Sequence, residues 1–145
     1  FDPFAMTPFI GYHAGDYMQH WFDMGETLGD KAPRCFYVNW FRKTEDGKWL
    51  WPGFGENSRV LKWMCDRVEG KVGAVETPIG LMPKKEDFSF EGLDFSDQAW
   101  DELLAVDTDA YRQTLENAKE YLARLGGKLP AKITEQLEKF ETRLG

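Results

Sequence analysis

The spacing of apolar residues predicts helices at two places in the first half of the chain. Residues 12–27 and residues 57–68 each carry apolar side chains three and four positions apart, so these side chains share one helical face. Asn57 or Ser58 stands at the start of the second stretch, where asparagine and serine commonly cap a helix. We therefore expect one helix on each side of the central segment.

The last third of the chain has a helical pattern with two interruptions. The pattern breaks near residues 107–109 and again at residues 126–130, where Gly-Gly-Lys-Leu-Pro is a typical helix stop. Residues 96–144 are therefore predicted to form three helices. The middle helix carries an apolar stripe formed by Tyr111, Leu115, Ala118, Leu122 and Leu125.

The central segment carries the signals of β-structure. Residues 35–41, Cys-Phe-Tyr-Val-Asn-Trp-Phe, are rich in aromatic and β-branched side chains and predict a strand. Asp46-Gly47 is a turn signal, so residues 48–50 are expected to return as a short hairpin partner. Residues 74–82 predict a further short strand.

These elements predict an α/β fold, with a small mixed sheet, flanking helices and a helical C-terminal subdomain. A chain of 145 residues is long enough to bury a real core. We expect residues 1–95 to form an aromatic-rich α/β part that carries the binding residues. Residues 96–145 would form the helical subdomain.

Charge and composition exclude two classes of partner. A net charge of −7 argues against a protein that grips the nucleic acid backbone. No apolar run approaches the roughly 18–20 residues of a membrane span, so no membrane partner is expected. Cys35 and Cys65 are predicted to be reduced core thiols of a cytoplasmic protein. Because the chain begins with Phe1 in an aromatic, proline-containing run, we expect it to be a fragment.

The most informative chemistry lies in an aromatic loop. Four of the six tryptophans lie between residues 40 and 63, and Pro52, Gly53 and Gly55 punctuate the segment. Rings on such a loop, beside the amide of Asn57, suit a planar hydrogen-bonding ligand such as a nucleobase. A hydrophobic cluster beneath a long loop is the alternative for the rings, and a helix N-cap is the alternative for Asn57.

Charged residues give weaker signals. Arg42, Lys43 and Lys48 would either form a small patch for a phosphorylated ligand or simply solvate the loop. One predicted helical face carries two histidines and two aspartates at a spacing that could hold a metal, although a solvated face is the favoured interpretation: His13, Asp16, His20 and Asp23. The chain contains no phosphate-loop motif and no nucleophile elbow, so neither a catalytic set nor a metal site is predicted.

Several segments resemble one enzyme family closely. Residues 2–6 (Asp-Pro-Phe-Ala-Met), 38–43 (Val-Asn-Trp-Phe-Arg-Lys) and 50–61 (Leu-Trp-Pro-Gly-Phe-Gly-Glu-Asn-Ser-Arg-Val-Leu) resemble GTP-dependent phosphoenolpyruvate carboxykinase. The resemblance implies a carboxy-lyase of gluconeogenesis, which converts oxaloacetate and GTP to phosphoenolpyruvate, GDP and carbon dioxide. It also implies a need for Mn²⁺ or Mg²⁺, with ligands outside this chain.

The resemblance implies a role for particular residues. The guanine base would lie among Phe41, Trp49 and Phe54, with Trp40 adjacent. Trp49 stands where the family is expected to have phenylalanine. The side chain of Asn57 would hydrogen-bond the guanine edge, and the backbone through Gly55 and Glu56 would line the pocket.

The rest of the family's machinery is expected before Phe1. The phosphate loop, metal ligands, substrate-binding arginines and mobile lid would all lie there, so the chain alone should be inactive. Its expected partners are a guanine nucleotide and the remaining N-terminal part of the parent enzyme. The alternative is a non-catalytic interaction domain, whose aromatic patch packs on another domain or subunit.

Overall fold

A computed structural model describes residues 5–145. The described part contains five α-helices and one two-stranded sheet, which confirms an α/β protein with a small sheet and a helical C-terminal part. In chain order the elements are α1 (Ala14–Leu28), α2 (Asn57–Val68), β1 (Val75–Thr77), β2 (Gly80–Met82), α3 (Asp97–Leu104), α4 (Thr108–Ala123) and α5 (Ala131–Leu144). No helix in residues 5–145 is both long and apolar enough to cross a membrane.

The predicted helices are confirmed, whereas one predicted strand is wrong. Residues 35–41 form no strand, because no neighbouring segment pairs with them. Phe36 and Trp40 instead pack on a cluster of buried rings, and Tyr37 and Phe41 are exposed. The sheet lies at residues 75–82, where β1 and β2 form an antiparallel hairpin rather than one strand.

The turn predicted at Asp46-Gly47 is confirmed. Lys43 and Trp49 form an isolated antiparallel bridge across it. The backbone nitrogen of Thr44 also donates to the carbonyl of Lys48 over 2.9 Å. Gly47 has a φ of 83°, which glycine adopts without the steric cost that other residues meet. Residues 43–49 therefore form a short hairpin without a regular strand.

The chain forms two compact units. One unit is Arg34–Val106, and the other combines the described residues up to Pro33 with Asp107–Gly145. The sequence analysis divides the chain by expected function, into a binding part of residues 1–95 and a helical part of residues 96–145. That division stays a prediction.

The core of unit Arg34–Val106 is a cluster of four buried aromatic side chains, named here the ring cluster: Trp51, Trp63, Phe88 and Trp100. Trp51 meets Phe88 edge to face, with ring centres 6.0 Å apart, and Phe88 lies 5.3 Å from Trp100. Such contacts add about 0.5–1.5 kcal/mol each beyond the area that they bury. The ring cluster thus joins the segment before α2, through Trp51, to α2 and α3, which supply Trp63 and Trp100.

The other unit is helical. Leu115 and Leu122, two residues of the predicted stripe on α4, are buried. Leu144, at the end of α5, is buried as well. The side chain of Asp107 caps α4 by accepting from the backbone nitrogen of Ala110 over 3.0 Å. Caps of this kind satisfy backbone donors that a helix start leaves unpaired.

Helix α1 approaches the turn after α4 closely at Gly15. A Cβ atom at Gly15 would lie 2.2 Å from the backbone carbonyl oxygen of Lys128. A backbone atom cannot swing aside as a flexible side chain does, so this position requires glycine. At Gly25, in the same helix, no atom outside the helix lies within 4 Å of a built Cβ.

We expect Gly15→Ala to lower the free energy of unfolding by about 1–3 kcal/mol, the usual cost of overpacking. Gly25→Ala is the matched control and should raise it by about 0.5–1 kcal/mol, because alanine is the better helix former. Urea unfolding of the two variants measures both values. Equal effects of the two substitutions would contradict the close approach at Gly15.

Candidate functional site

The aromatic loop, residues 40–57, is anchored at the base of its hairpin. The guanidinium of Arg42 donates to the carbonyls of Leu103 and Ala105 at the end of α3, over 2.5 and 3.0 Å. On the returning side, Leu50 and Trp51 are buried. The ends of the hairpin are therefore fixed in the core, while its tip extends from it.

Phe41 and Trp49 lie together on the two sides of the hairpin. Their side chains are 73% and 56% exposed, and their ring centres lie 5.9 Å apart at an interplanar angle of 63°. At this edge-to-face angle the two rings form one aromatic surface, not two parallel walls. The ammonium of Lys43 lies 4.2 Å from the centre of the Trp49 ring, a cation–π distance.

Phe54 is separate from these two rings. It is 98% exposed and has no contact with another ring of residues 5–145. It begins a single 3-10 turn, Phe54–Glu56, which follows Gly53 with a φ of 89°. Trp40 differs again, because it is half-buried against the ring cluster. The four predicted rings thus comprise one contacting pair, one free ring and one ring of the core.

Asn57 makes a hydrogen bond that the sequence did not predict. Its side-chain oxygen accepts from the indole nitrogen of Trp51 over 2.8 Å. The proposed N-cap role is wrong: Asn57 is the first residue of α2, and the N-cap position is Glu56, which makes no side-chain cap bond. The amide oxygen binds the indole donor instead of a backbone nitrogen.

The neighbours of Asn57 hold the start of α2 in place. Glu56 forms an ion pair with Arg59. The guanidinium of Arg59 also donates to the carbonyls of Ser89 and Glu91, over 2.9 and 2.8 Å. The hydroxyl of Ser58 donates to the carbonyl of Gly55 over 3.1 Å. The carboxylate of Glu56 is thus neutralised by an arginine that also ties the helix start to residues 89–91.

Two of the three loop cations are occupied by partners within the chain. Arg42 is committed to the carbonyls at the end of α3. Lys48 lies 2.7 Å from the carboxylate of Asp46, and this bond, with a second from Thr44, lowers the pKa of Asp46 below its ordinary value. Lys43 alone lies beside an exposed ring.

Two residues of the histidine-bearing helical face have structural partners. Within residues 5–145, no group of three His, Cys, Asp or Glu side chains is arranged to hold an ion. His13 caps α1 by accepting from the nitrogen of Gly15 over 3.0 Å, and Asp16 pairs with Lys128 over 2.6 Å. The prediction that Cys35 and Cys65 are core thiols is wrong, since both are free and exposed.

Comparison with known proteins identifies the family. Residues 1–143 match the family model described as phosphoenolpyruvate carboxykinase C-terminal P-loop domain. The chain belongs to the GTP-dependent phosphoenolpyruvate carboxykinase family. It is 52% identical over 143 residues to the enzyme of Corynebacterium efficiens, named phosphoenolpyruvate carboxykinase [GTP]. Proteins of the same name from Corynebacterium glutamicum and Renibacterium salmoninarum are each 49% identical to this chain.

The match covers nearly all of this chain but a small part of each relative. In the Corynebacterium efficiens comparison, 99% of the chain aligns with 23% of the relative. For the Renibacterium salmoninarum protein the shares are 99% and 24%. The chain therefore spans about a quarter of the length of the relatives that it matches.

Proposed function

We propose that this chain is the guanine-base-binding part of a GTP-dependent phosphoenolpyruvate carboxykinase. The parent reaction would convert oxaloacetate and GTP to phosphoenolpyruvate, GDP and carbon dioxide. The observation that carries the proposal is the exposure of Phe41, Trp49 and Phe54 on a loop that the buried side chains of Leu50 and Trp51 hold in the core. Exposed rings on a rigid base are suited to stack on a planar base.

The rings would supply affinity without selectivity. Every nucleobase has a π-face, and stacking on an aromatic side chain is worth about 1–3 kcal/mol per base by alanine substitution. The Phe41–Trp49 pair offers one surface, and Phe54, which touches no other described ring, is open on both faces. A base between Phe54 and this pair would be stacked on both sides.

The amide of Asn57 would supply selectivity. Guanine carries the acceptor O6 where adenine carries the donor N6–H₂. With its oxygen bound to the indole of Trp51, Asn57 has its NH₂ group left to donate. Such a donor matches guanine and mismatches adenine. Gly55 and Glu56 would line the same side of the base through their backbone.

The phosphates, metal and oxaloacetate would bind outside this chain. No group of metal-binding side chains is present in residues 5–145, so the residues here do not fit Mn²⁺ or Mg²⁺. Phosphoryl transfer depends on metal and cationic groups around the phosphates, and the described loop cations are mostly paired. The role of this chain would be to bind and orient the base end of GTP or GDP.

The remaining proposals concern partners and location. We propose the N-terminal part of the parent enzyme as the protein partner. A cytoplasmic location is proposed because both cysteines are free, and thiols stay reduced in that compartment.

A second candidate is a non-catalytic interaction domain. Tyr37 is 94% exposed and is a further exposed ring of the same unit, beyond the three proposed for the base. Large exposed apolar patches commonly mark protein interfaces. Self-association through this surface would favour the second candidate, and analytical ultracentrifugation of Tyr37→Ser against the unmodified chain detects it.

The first test is a titration of the six indole N–H signals by two-dimensional NMR. We expect GTP to shift the signals of Trp40, Trp49 and Trp51 more than ATP does, with an affinity in the millimolar range, about −4 kcal/mol. Trp63 and Trp100, buried in the ring cluster, are internal controls and should not shift. The absence of any shift at millimolar GTP would overturn base binding by this chain.

Two substitutions should separate affinity from selectivity. Phe54→Ala should weaken GTP and ATP alike, because it removes a stacking face, and should leave unfolding unchanged because the ring is exposed. Asn57→Ala should weaken GTP more than ATP. Dissociation constants from the same titration measure both effects, and equal losses for the two nucleotides in Asn57→Ala would contradict its proposed role.

The chain alone is expected to be inactive, because the groups that handle phosphate and oxaloacetate would lie elsewhere. The assay is release of carbon dioxide from oxaloacetate with GTP and Mn²⁺, corrected for the spontaneous reaction without protein. GTP-dependent release above that background would refute the division of roles proposed here.

A further inference from the structure

Trp51 links the ring cluster to the candidate base site. Its side chain is 4% exposed and packs edge to face on Phe88 and Phe95, with ring centres 6.0 and 5.9 Å away. Its indole N–H donates to the side-chain oxygen of Asn57 over 2.8 Å. The indole N–H of the buried Trp51 is thus bonded to Asn57, the residue proposed to hydrogen-bond the guanine base.

The chemistry of this hydrogen bond fixes the orientation of the amide. An indole nitrogen donates and cannot accept, so Asn57 must turn its oxygen, and not its NH₂ group, toward Trp51. Within residues 5–145, the amide nitrogen of Asn57 donates no hydrogen bond. An asparagine without such a partner can turn about its terminal bond and present either an acceptor or a donor.

We propose that Trp51 is a positioning residue that sets the guanine preference of the site by holding Asn57 with its NH₂ group available. This inference rests on the proposed function, and adds to it the reason why the amide acts as a donor. An amide free to turn would match O6 of guanine in one orientation and N6–H₂ of adenine in the other, and would discriminate poorly.

The backbone before Asn57 leaves its side-chain oxygen available for this bond. Glu56 and Asn57 both have helical φ and ψ, because the 3-10 turn Phe54–Glu56 runs directly into α2. An N-cap residue normally has an extended backbone, so the side chain of Asn57 is not placed to cap α2. Its oxygen binds the indole of Trp51 instead.

Trp63 provides a matched control within the ring cluster. It is buried to a similar extent, but its indole nitrogen has no hydrogen-bond partner in the described part of the chain. Trp51→Phe and Trp63→Phe therefore make the same change of ring in the same core. Only the first removes a hydrogen bond.

The experiment compares these two variants of the 145-residue chain by NMR, without and with nucleotide. In Trp51→Phe we expect the side-chain NH₂ signals of Asn57 to move, and the ratio of GTP to ATP affinity to fall about three- to tenfold, the equivalent of one hydrogen bond. Inosine triphosphate, which shares O6 with guanine, should lose affinity as GTP does. Trp63→Phe should leave the Asn57 signals and the ratio unchanged.

A second variant keeps the test decisive if Trp51→Phe does not fold. Asn57→Asp retains an acceptor for the Trp51 indole but presents acceptors only, so the ratio of GTP to ATP affinity should fall while the Trp51 indole signal stays near its original position. Retained guanine preference in Asn57→Asp would overturn the inference.

The outcomes separate this inference from the proposed function. If the unmodified chain binds neither GTP nor inosine triphosphate, the proposed function fails and the selectivity role of Trp51 fails with it. If the unmodified chain prefers GTP and Trp51→Phe keeps both that preference and the Asn57 signals, the proposed function stands and Trp51 is not a positioning residue.

Discussion

The packing of four buried rings, Trp51, Trp63, Phe88 and Trp100, is the interaction on which the rest of unit Arg34–Val106 depends. This unit has only six residues of regular strand, in two strands of three, so no extended ladder of hydrogen bonds holds its long connections. Aromatic side chains bury 150–250 Å² each and offer edge-to-face contacts with defined geometry. The buried rings therefore hold irregular backbone that the two short strands do not reach.

Because Leu50 and Trp51 hold the aromatic loop in the core, the residues on either side of them can carry rings that are not used for folding. Phe54 is 98% exposed, so it contributes little to the hydrophobic free energy of this unit. Its exposure leaves the ring available to a ligand or to another protein surface. The anchors are polar as well as apolar: Arg42 binds two carbonyls at the end of α3, and Arg59 binds the carbonyls of Ser89 and Glu91.

The sequence predicted the elements whose signals are local. The helices after residue 96 are predictable because their boundaries, the N-cap at Asp107 and the turn at Gly126–Lys128, act through the neighbouring backbone. The strand expected at residues 35–41 was wrong because β-propensity reflects packing and pairing, and no partner strand is present there.

The site was predictable in composition and not in geometry. Trp49 and Trp51 are separated by one residue, yet they are 56% and 4% exposed, and nothing in their local sequence distinguishes them. The bond from Trp51 to Asn57 depends on the path of the intervening turn, including the positive φ of Gly53. An N-cap was the reasonable expectation for Asn57, because the competing indole donor becomes visible only in the folded chain.

Under the proposed function, the two components of base recognition differ in their dependence on the core. Stacking would come from exposed rings, and Phe54 makes no ring contact within the described residues, so loosening the core would leave its face available. Selectivity would come from an amide held by a buried indole, so it would require Trp51 to keep its place against Phe88 and Phe95. A destabilised core would therefore lose discrimination between guanine and adenine before it lost affinity for purines. The fold would then contribute to specificity directly, because the donor that orients the amide belongs to the same cluster that holds the unit together.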